Sequence, residues 1–285
     1  MANTLALRRR IKTAQNISKT TRAMQMIAAS KLKRAQHAVV ASRPYAEKLI
    51  ELTTNLTLSG EKEDIHPYLG KKDITGKTLY VIIGPDKGLC GGLVTNLIRE
   101  YFSLRNDTKS SFITVGKKIE GIVAGGSRLL AAFPFGTTLP SFEQILSIIA
   151  MINQQYIDGD IDTVKIISTQ FVNVFSQTPK ITQLLPVAFV KEEKGVQSEM
   201  LFEPTQNELL PALLKRYIET TLYQQFLESY ASYNAAQMIA MQNATNNAKD
   251  IVKEFTLLYN KVRQEKITNE ILDITGAAVA LEEEK

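Results

Sequence analysis

"ATNNAKDIVKEFTLLYNKV", residues 244–262, contains neither Gly nor Pro and repeats its apolar residues at helical spacing. Ala244, Ala248, Ile251, Phe255, Leu258 and Val262 follow one another in steps of four and three, the spacing of a coiled-coil seam. The stretch lies in a longer span, 212–275, that is free of both breakers. One helix of those 64 residues would run about 96 Å at ~1.5 Å per residue. No small domain is wide enough to bury that, so its apolar face needs another helix. After a slip of phase, Ile267, Ile271, Ile274, Ala278 and Leu281 resume the same steps.

A matching span opens the chain. Residues 1–59 hold no Gly and one Pro, Pro44. Leu7, Ile11, Ala14, Ser18 and Thr21 give a seam of smaller residues, with Met24, Ala28, Leu32, Ala35 and Val39 on or near it. Small seam residues let two backbones approach closely. All the Gly except Gly276, and most of the Pro, fall between 60 and 211. Two long helices thus flank a compact middle, which brings the chain back so that they meet antiparallel.

The middle reads as alternating strands and helices. "KTLYVIIG" (77–84) is a buried strand by its β-branched and aromatic content, and "GLVTNLIREYFSL" (92–104) is helical. "SFITVG" (111–116) is a strand, and "SFEQILSIIAMINQQYI" (141–157) is a helix with Ser141 as its N-cap. "DTVKIISTQFVNVF" (162–175) and "KITQLLPV" (180–187) are strands suited to an antiparallel pair. These elements make an α/β unit with a largely parallel sheet. Thr205 is the expected N-cap of the last helix, with Glu208 three residues on and Pro211 early in the helix.

Charge is distributed as unevenly as Gly. The chain carries 34 Lys and Arg against 29 Asp and Glu. Ten of the cations (Arg8, Arg9, Arg10, Lys12, Lys19, Arg22, Lys31, Lys33, Arg34 and Arg43) lie in residues 1–46, which have no acid. A basic end implies a partner of negative charge. Such a start also has the composition of a transit peptide, but here it runs straight into a longer helical segment. The single Cys, Cys90, excludes an internal disulfide. The longest apolar run, "LSIIAMI" (146–152), is far shorter than the ~18–20 residues that cross a bilayer.

Two Gly-bearing stretches invite a nucleotide reading. In "GKKDITGKTLYVIIG" (70–84) the Gly76-Lys77-Thr78 run resembles the end of a P-loop, G-x-x-x-x-G-K-[ST]. Gly70 is one position too far away, Lys71 stands where Gly is needed, and the run precedes a strand instead of opening a helix. It reads as a turn into the strand. "GPDKGLCGGL" (84–93) does follow a strand and precede a helix, and it admits three readings: an anion site, a structural turn or a loop contacting a partner. It lacks the G-x-G-x-x-G spacing of a dinucleotide site. His37 and His66 have no metal-ligand partners nearby in sequence, and Cys90 has no neighbouring His to activate it. The chain is not expected to be an enzyme by itself, nor to hold a cofactor or metal.

Four segments match one family. "LRRRIKTAQNISKTTRAMQMIAASKLKRAQ" (7–36) closely resembles the N-terminal helix of the gamma subunit of F-type ATP synthases, and "GLCGGL" (88–93) its middle signature. "AQMIAMQNATNNAKDIV" (236–252) and "LLYNKVRQEKITNEILDITGAAVA" (257–280) resemble its C-terminal helix and terminal signature. Gln237 stands where many relatives have Arg, Asn269 where Gln is common, and Ala277 where Gly is usual.

The resemblance implies an α/β fold class: a long antiparallel coiled coil of the N- and C-terminal helices plus a central Rossmann-like α/β domain. The divisions are 1–59, 60–204 and 205–285, with the last pairing with the first. It implies the central rotor that couples c-ring rotation to ATP synthesis or hydrolysis on the alpha–beta hexamer, with no catalysis of its own. By resemblance, Met24, Lys87, Gly88, Leu89, Arg263 and Gln264 contact the beta and epsilon subunits. Met200, Phe202 and Glu203 contact the c-ring, and Ile267, Glu270, Ile271 and Ile274 form the shaft tip in the alpha–beta bearing. The partners are then alpha, beta, epsilon and the c-ring, without nucleic acid, and membrane association comes only through the complex. The implied location is the cytoplasmic face of a bacterial plasma membrane, as a peripheral protein.

The rival from the residues alone is a basic coiled-coil module for nucleic acid or an anionic membrane surface. It lacks the aromatic residues that single-strand binders set among their cations, for there is no Trp and no Phe before Phe102.

Overall fold

The structure, a computed structural model, describes residues 4–59, 66–70, 76–105, 109–187 and 205–283. Helix α1 (Thr4–Ser59) is followed by a short 3-10 turn, Pro67–Leu69. Then come β1 (Thr78–Ile83), α2 (Leu93–Leu104), β2 (Ser110–Val115), α3 (Lys117–Ala124) and β3 (Arg128–Phe133). The chain continues through α4 (Phe142–Ile157), β4 (Thr163–Phe171), β5 (Gln177–Leu185) and α5 (Gln206–Glu283). Every strand and helix expected from the sequence is present. Two elements are additional, α3 and β3. Thr205 directly precedes α5, and its carbonyl accepts the Glu208 and Leu209 amides at 3.1 Å.

The five strands order as β3-β2-β1-β4-β5. The β1–β2, β2–β3 and β1–β4 pairs are parallel, and β4–β5 is the expected antiparallel pair. The central strand β1 is buried on both faces, which is why it reads as an unbroken apolar run. Leu79, Val81 and Ile83 face a core shared with α4, with Leu214 to Tyr230 of α5 and with Leu32 and Ala35 of α1. Tyr80 and Ile82 alternate to the other face, under α2 and α3. Each fully buried Leu, Ile or Phe there contributes about 1.5–3 kcal/mol. Ser141 N donates to Gln144 Oε1 at 3.3 Å, so α4 opens at the expected cap.

By internal contacts the chain divides into two compact units, one of residues 1–27 with 240–285 and the other of residues 28–239. Both long helices contribute to both. Within the larger unit, Arg216 Nε donates to Tyr45 Oη and Gln224 Nε2 to Ser42 Oγ, each at 3.0 Å, so numbers rise on α5 as they fall on α1. Within the smaller unit, Thr21 lies against Thr245 and the Arg10 guanidinium sits 5.8 Å over the Phe255 ring. Both segment pairs are therefore antiparallel.

The α1 seam from Leu7 to Thr21 is the one read from the sequence, and the α5 seam differs in phase from its sequence reading. On α1 of the smaller unit the sheltered line is Leu7, Ile11, Ala14, Ser18, Thr21 and Gln25, while Met24 is 38% exposed. On α5 it is Met241, Thr245, Ala248, Val252, Phe255, Tyr259 and Val262. Ile251 and Leu258 face outward. Adjacent apolar residues at 251–252 and 257–259 make both phases fit the spacing. The partner helix decides between them, by setting Thr245 against Thr21 and Phe255 under Arg10.

Candidate partner-contact site

The smaller unit holds most of the residues singled out from the sequence. Its α1 segment begins at Thr4, and Leu7 is buried. Antiparallel pairing reaches Val262, the last half-buried residue of α5 among those whose burial is described. From Arg263 to Thr275 every residue is exposed, including Arg263, Gln264 and Glu270. Ile267, Ile271 and Ile274 are 47%, 55% and 70% exposed. Their spacing of four and three puts them on one helix face, an apolar stripe left in water. Glu270 pairs with Lys266 one turn back at 3.4 Å, an exposed contact worth little.

The cations of this unit are also left to solvent. Arg8, Arg9, Arg10, Lys12, Lys19 and Arg22 are exposed. Among the described residues there are four ion pairs, all between neighbours on one helix, and none uses these six cations. Thr21, on the sheltered side, closes the pair by its hydroxyl contact with Thr245.

Lys87, Gly88 and Leu89 belong to the larger unit, in the loop between β1 and α2. The Asp86 carboxylate sets the shape of that loop. Its Oδ1 accepts the backbone N–H of Lys117 at 3.0 Å and of Phe135 at 3.3 Å, and its Oδ2 that of Gly136 at 2.8 Å. One side chain thereby ties the β1–α2 loop to the start of α3 and to the segment after β3. Burial pushes the Asp86 carboxyl up, but the three amides and the nearby Lys117 charge outweigh it and hold the group below its ordinary value. Gly116, at φ +105°, passes so close to the Gly84 carbonyl that a Cβ there would collide with it.

Beyond that clasp the chain turns sharply. Leu89 is the one non-Gly residue with positive φ among the described residues, at +63°, and its side chain is 62% exposed. A bulky residue in the left-handed region is costly, and such strain gathers at functional positions. Cys90 beside it is buried, and burial pushes its thiol up, the state of an inert thiol. The amides that hold Asp86 come from outside the loop, from α3 and the segment after β3.

Sequence reasoning missed Asp86. The available signal was a carboxylate in a Gly-rich loop after a buried strand. Gly76-Lys77-Thr78 is the turn into β1, as expected: Gly76 has φ +78° and Lys77 N donates to Asp162 Oδ2 at 3.0 Å. Gln237 is half-buried, four residues on from Tyr233, whose hydroxyl is pushed up to about 12, first by burial. His66 Nδ1 accepts the Tyr68 amide, and His37 is exposed. Among the described residues, no three His, Cys, Asp or Glu come together as a metal set. Met200, Phe202 and Glu203 lie outside the described residues.

The ATP synthase family model matches residues 3–281. The ATP synthase gamma chain of Dehalococcoides mccartyi (strain BAV1) is 42% identical over 285 residues, covering 99% of this chain and 100% of that one. The ATP synthase gamma chain of Legionella pneumophila (strain Corby) is 36% identical over 291 residues with the same coverage. Among solved structures, the rotor of the Euglena gracilis mitochondrial ATP synthase in rotational state 1 aligns with a TM-score of 0.64 at 18% identity, over 93% of this chain and 98% of that one. The central stalk and c-ring structure of the Tetrahymena thermophila mitochondrial enzyme gives 0.59 at 24% identity, over 79% and 99%. At such identities the solved structures speak for the fold: two long helices around a sheet domain.

Proposed function

The chain belongs to the gamma-chain family of ATP synthases, and from that premise we propose how its surfaces work within the central stalk. As a gamma chain it is a subunit of a membrane-associated machine, and no described helix is long and apolar enough to cross a membrane. The nucleic-acid or membrane-surface alternative is not retained.

We infer that the helix pair is the shaft, turning inside a ring of alternating alpha and beta subunits on which ATP is made or hydrolysed. The apolar stripe of Ile267, Ile271 and Ile274 beyond the end of the pair carries this reading. An isoleucine face in water calls for an apolar sleeve, and a sleeve without polar partners lets a helix turn without breaking hydrogen bonds. Glu270 belongs to that tip, while Arg263, Gln264 and the outward-facing Met24 contact the beta and epsilon subunits. The exposed cations of residues 4–27 suit acidic lobes of beta. Attraction between solvated charges fades over a Debye length of about 10 Å, so it guides contact without locking it.

Lys87, Gly88 and the strained Leu89 form the contact with beta and epsilon, and Met200, Phe202 and Glu203 the foot on the c-ring. The solved relatives are named as central stalk, rotor and c-ring assemblies, which supports these partners. The functional division is 1–59, 60–204 and 205–285. The chain does no chemistry itself. A shaft that presents a different face at each angle biases each beta subunit between open and closed states. Because the two gamma-chain relatives named above come from bacteria, the location is the cytoplasmic face of a bacterial plasma membrane.

Co-expression with alpha and beta subunits tests the reading. A stoichiometric complex whose ATPase depends on this chain is expected, with no hydrolysis by the chain alone. ATP turnover by the isolated chain, or failure to join alpha and beta, overturns it.

A further inference from the structure

Side chains from three parts of the larger unit meet on one short stretch of backbone after β3. The Asp86 carboxylate accepts the amides of Phe135 and Gly136. On the next residue, the Thr137 carbonyl accepts the Lys31 ammonium of α1 at 2.6 Å and the Tyr230 hydroxyl of α5 at 3.4 Å. Resting on the reading of Lys87, Gly88 and Leu89 as the contact with beta and epsilon, we propose that Lys31 is a positioning residue for that loop. It acts through Thr137 and Asp86, and it fixes the loop to the long helices.

The stretch needs such holding. Residues 134–141 carry the chain from β3 to α4 without a strand or helix of their own, so side chains must take up their polar groups. Gly136 sits at φ +87°, a conformation that Gly adopts at little cost. The turn there gives its amide to Asp86 and the following carbonyl to Lys31. Phe135 is buried, with its ring 5.8 Å from that of Phe226 and 6.3 Å from that of Tyr230, both on α5.

Distance ranks the grips. The hydroxyls of α5 reach this segment at 3.4 Å, Tyr230 to Thr137, and at 3.3 Å, Tyr223 to Pro140, near the outer limit for a hydrogen bond. The Lys31 bond is short and carries a full charge, and charge-assisted bonds are about twice as strong as neutral ones. The other side of the stretch is held the same way, by a carboxylate on two amides. A push on Leu89 therefore reaches α1 through two charged contacts on residues 135–137, a contiguous path of the kind that carries coupling.

Backbone amide exchange in the purified full chain tests the link without a partner. Lys31→Met keeps the length of the stem and removes the donor, and Lys31→Ala guards against an effect peculiar to methionine. Lys31 is half-buried, and circular dichroism checks that both variants fold. Exchange at Phe135, Gly136 and Lys117, the three amides on Asp86, is expected to quicken about tenfold. Lys31→Arg should bring it back towards the wild-type rate. The Lys117 amide decides, because it opens α3 and reaches the Lys31 contact only through Asp86. Unchanged exchange, a change at Phe135 and Gly136 that spares Lys117, or no rescue by arginine overturns the proposal. Pull-down with epsilon then reads the consequence, with weaker capture expected for Lys31→Met and recovery for Lys31→Arg. Faster Lys117 exchange with undiminished capture would leave the link standing and overturn the loop as the contact.

Discussion

Thr21 Oγ1 lies 2.7 Å from Thr245 Oγ1, joining two helix segments 224 residues apart in sequence. Each hydroxyl also has a carbonyl within reach one turn back on its own helix, Ile17 O at 3.0 Å from Thr21 and Met241 O at 2.8 Å from Thr245, so one hydroxyl donates to its carbonyl and accepts from the other hydroxyl. The neighbouring seam positions Ala14 and Ala248 are small. Small residues allow close approach but give little shape to lock one register against another. The hydroxyl pair supplies that lock.

Replacing either threonine by valine keeps the shape and removes the contact. Thr245→Val is expected to cost about 0.5–1.5 kcal/mol in urea unfolding. The double variant with Thr21→Val should cost less than the sum of the two single changes, because they break the same contact. Additive costs would show that the hydroxyls do not couple.

Asp86→Ala leaves the amides of Lys117, Phe135 and Gly136 without their acceptor. A loss of about 1–3 kcal/mol is expected at neutral pH. The folded chain holds this carboxyl below its ordinary value of 3.8. Its contribution is therefore complete well above that value and is lost as pH falls through the folded one. Denaturant melts of the two proteins should differ most near neutrality and converge in acid. A gap that widens in acid would contradict the clasp.

Leu89→Gly relieves a positive φ and removes a side chain that is 62% exposed. Stability should stay within about 1 kcal/mol of the parent, because strain relief is offset by the freedom Gly gains when unfolded. Affinity for beta and epsilon should fall. Pull-down at matched stability reads the second effect apart from the first.

Changing Ile267, Ile271 and Ile274 together to serine should leave the isolated chain's unfolding within about 0.5 kcal/mol per site, as for solvent-facing positions. In the assembled complex the same change should lower ATPase activity or its coupling to ion flow. A large loss of stability in the isolated chain would mean that the stripe is covered by its own chain.

The sequence announces β1, which is buried on both faces and apolar from Leu79 to Ile83, and it announces β2 by its Phe112-Ile113 pair and Val115. β3 hides because "RLLAAF" is rich in Leu and Ala, which favour helices, and it becomes a strand by pairing at the edge beside β2. Helix α3 hides because Gly121 and the Gly125-Gly126 pair mask its apolar positions, Ile119 and Val123. The coiled coil and the α1 seam are legible from spacing, but the α5 phase is not, because Ile251-Val252 offers two apolar neighbours and only the opposite helix chooses. Asp86 could not be read as a clasp because its three donors lie 31, 49 and 50 residues away. The tip was visible as a pattern of isoleucines, and its use came from resemblance alone.

The bare isoleucines of α5 also bear on how a cell can hold this chain. A copy made ahead of its ring has a sticky rod end and nothing to shelter it. It must meet a chaperone, another copy or a protease. On the proposed reading of the tip, a chain that meets no ring keeps this face in water, and its lifetime falls as vacant rings become fewer.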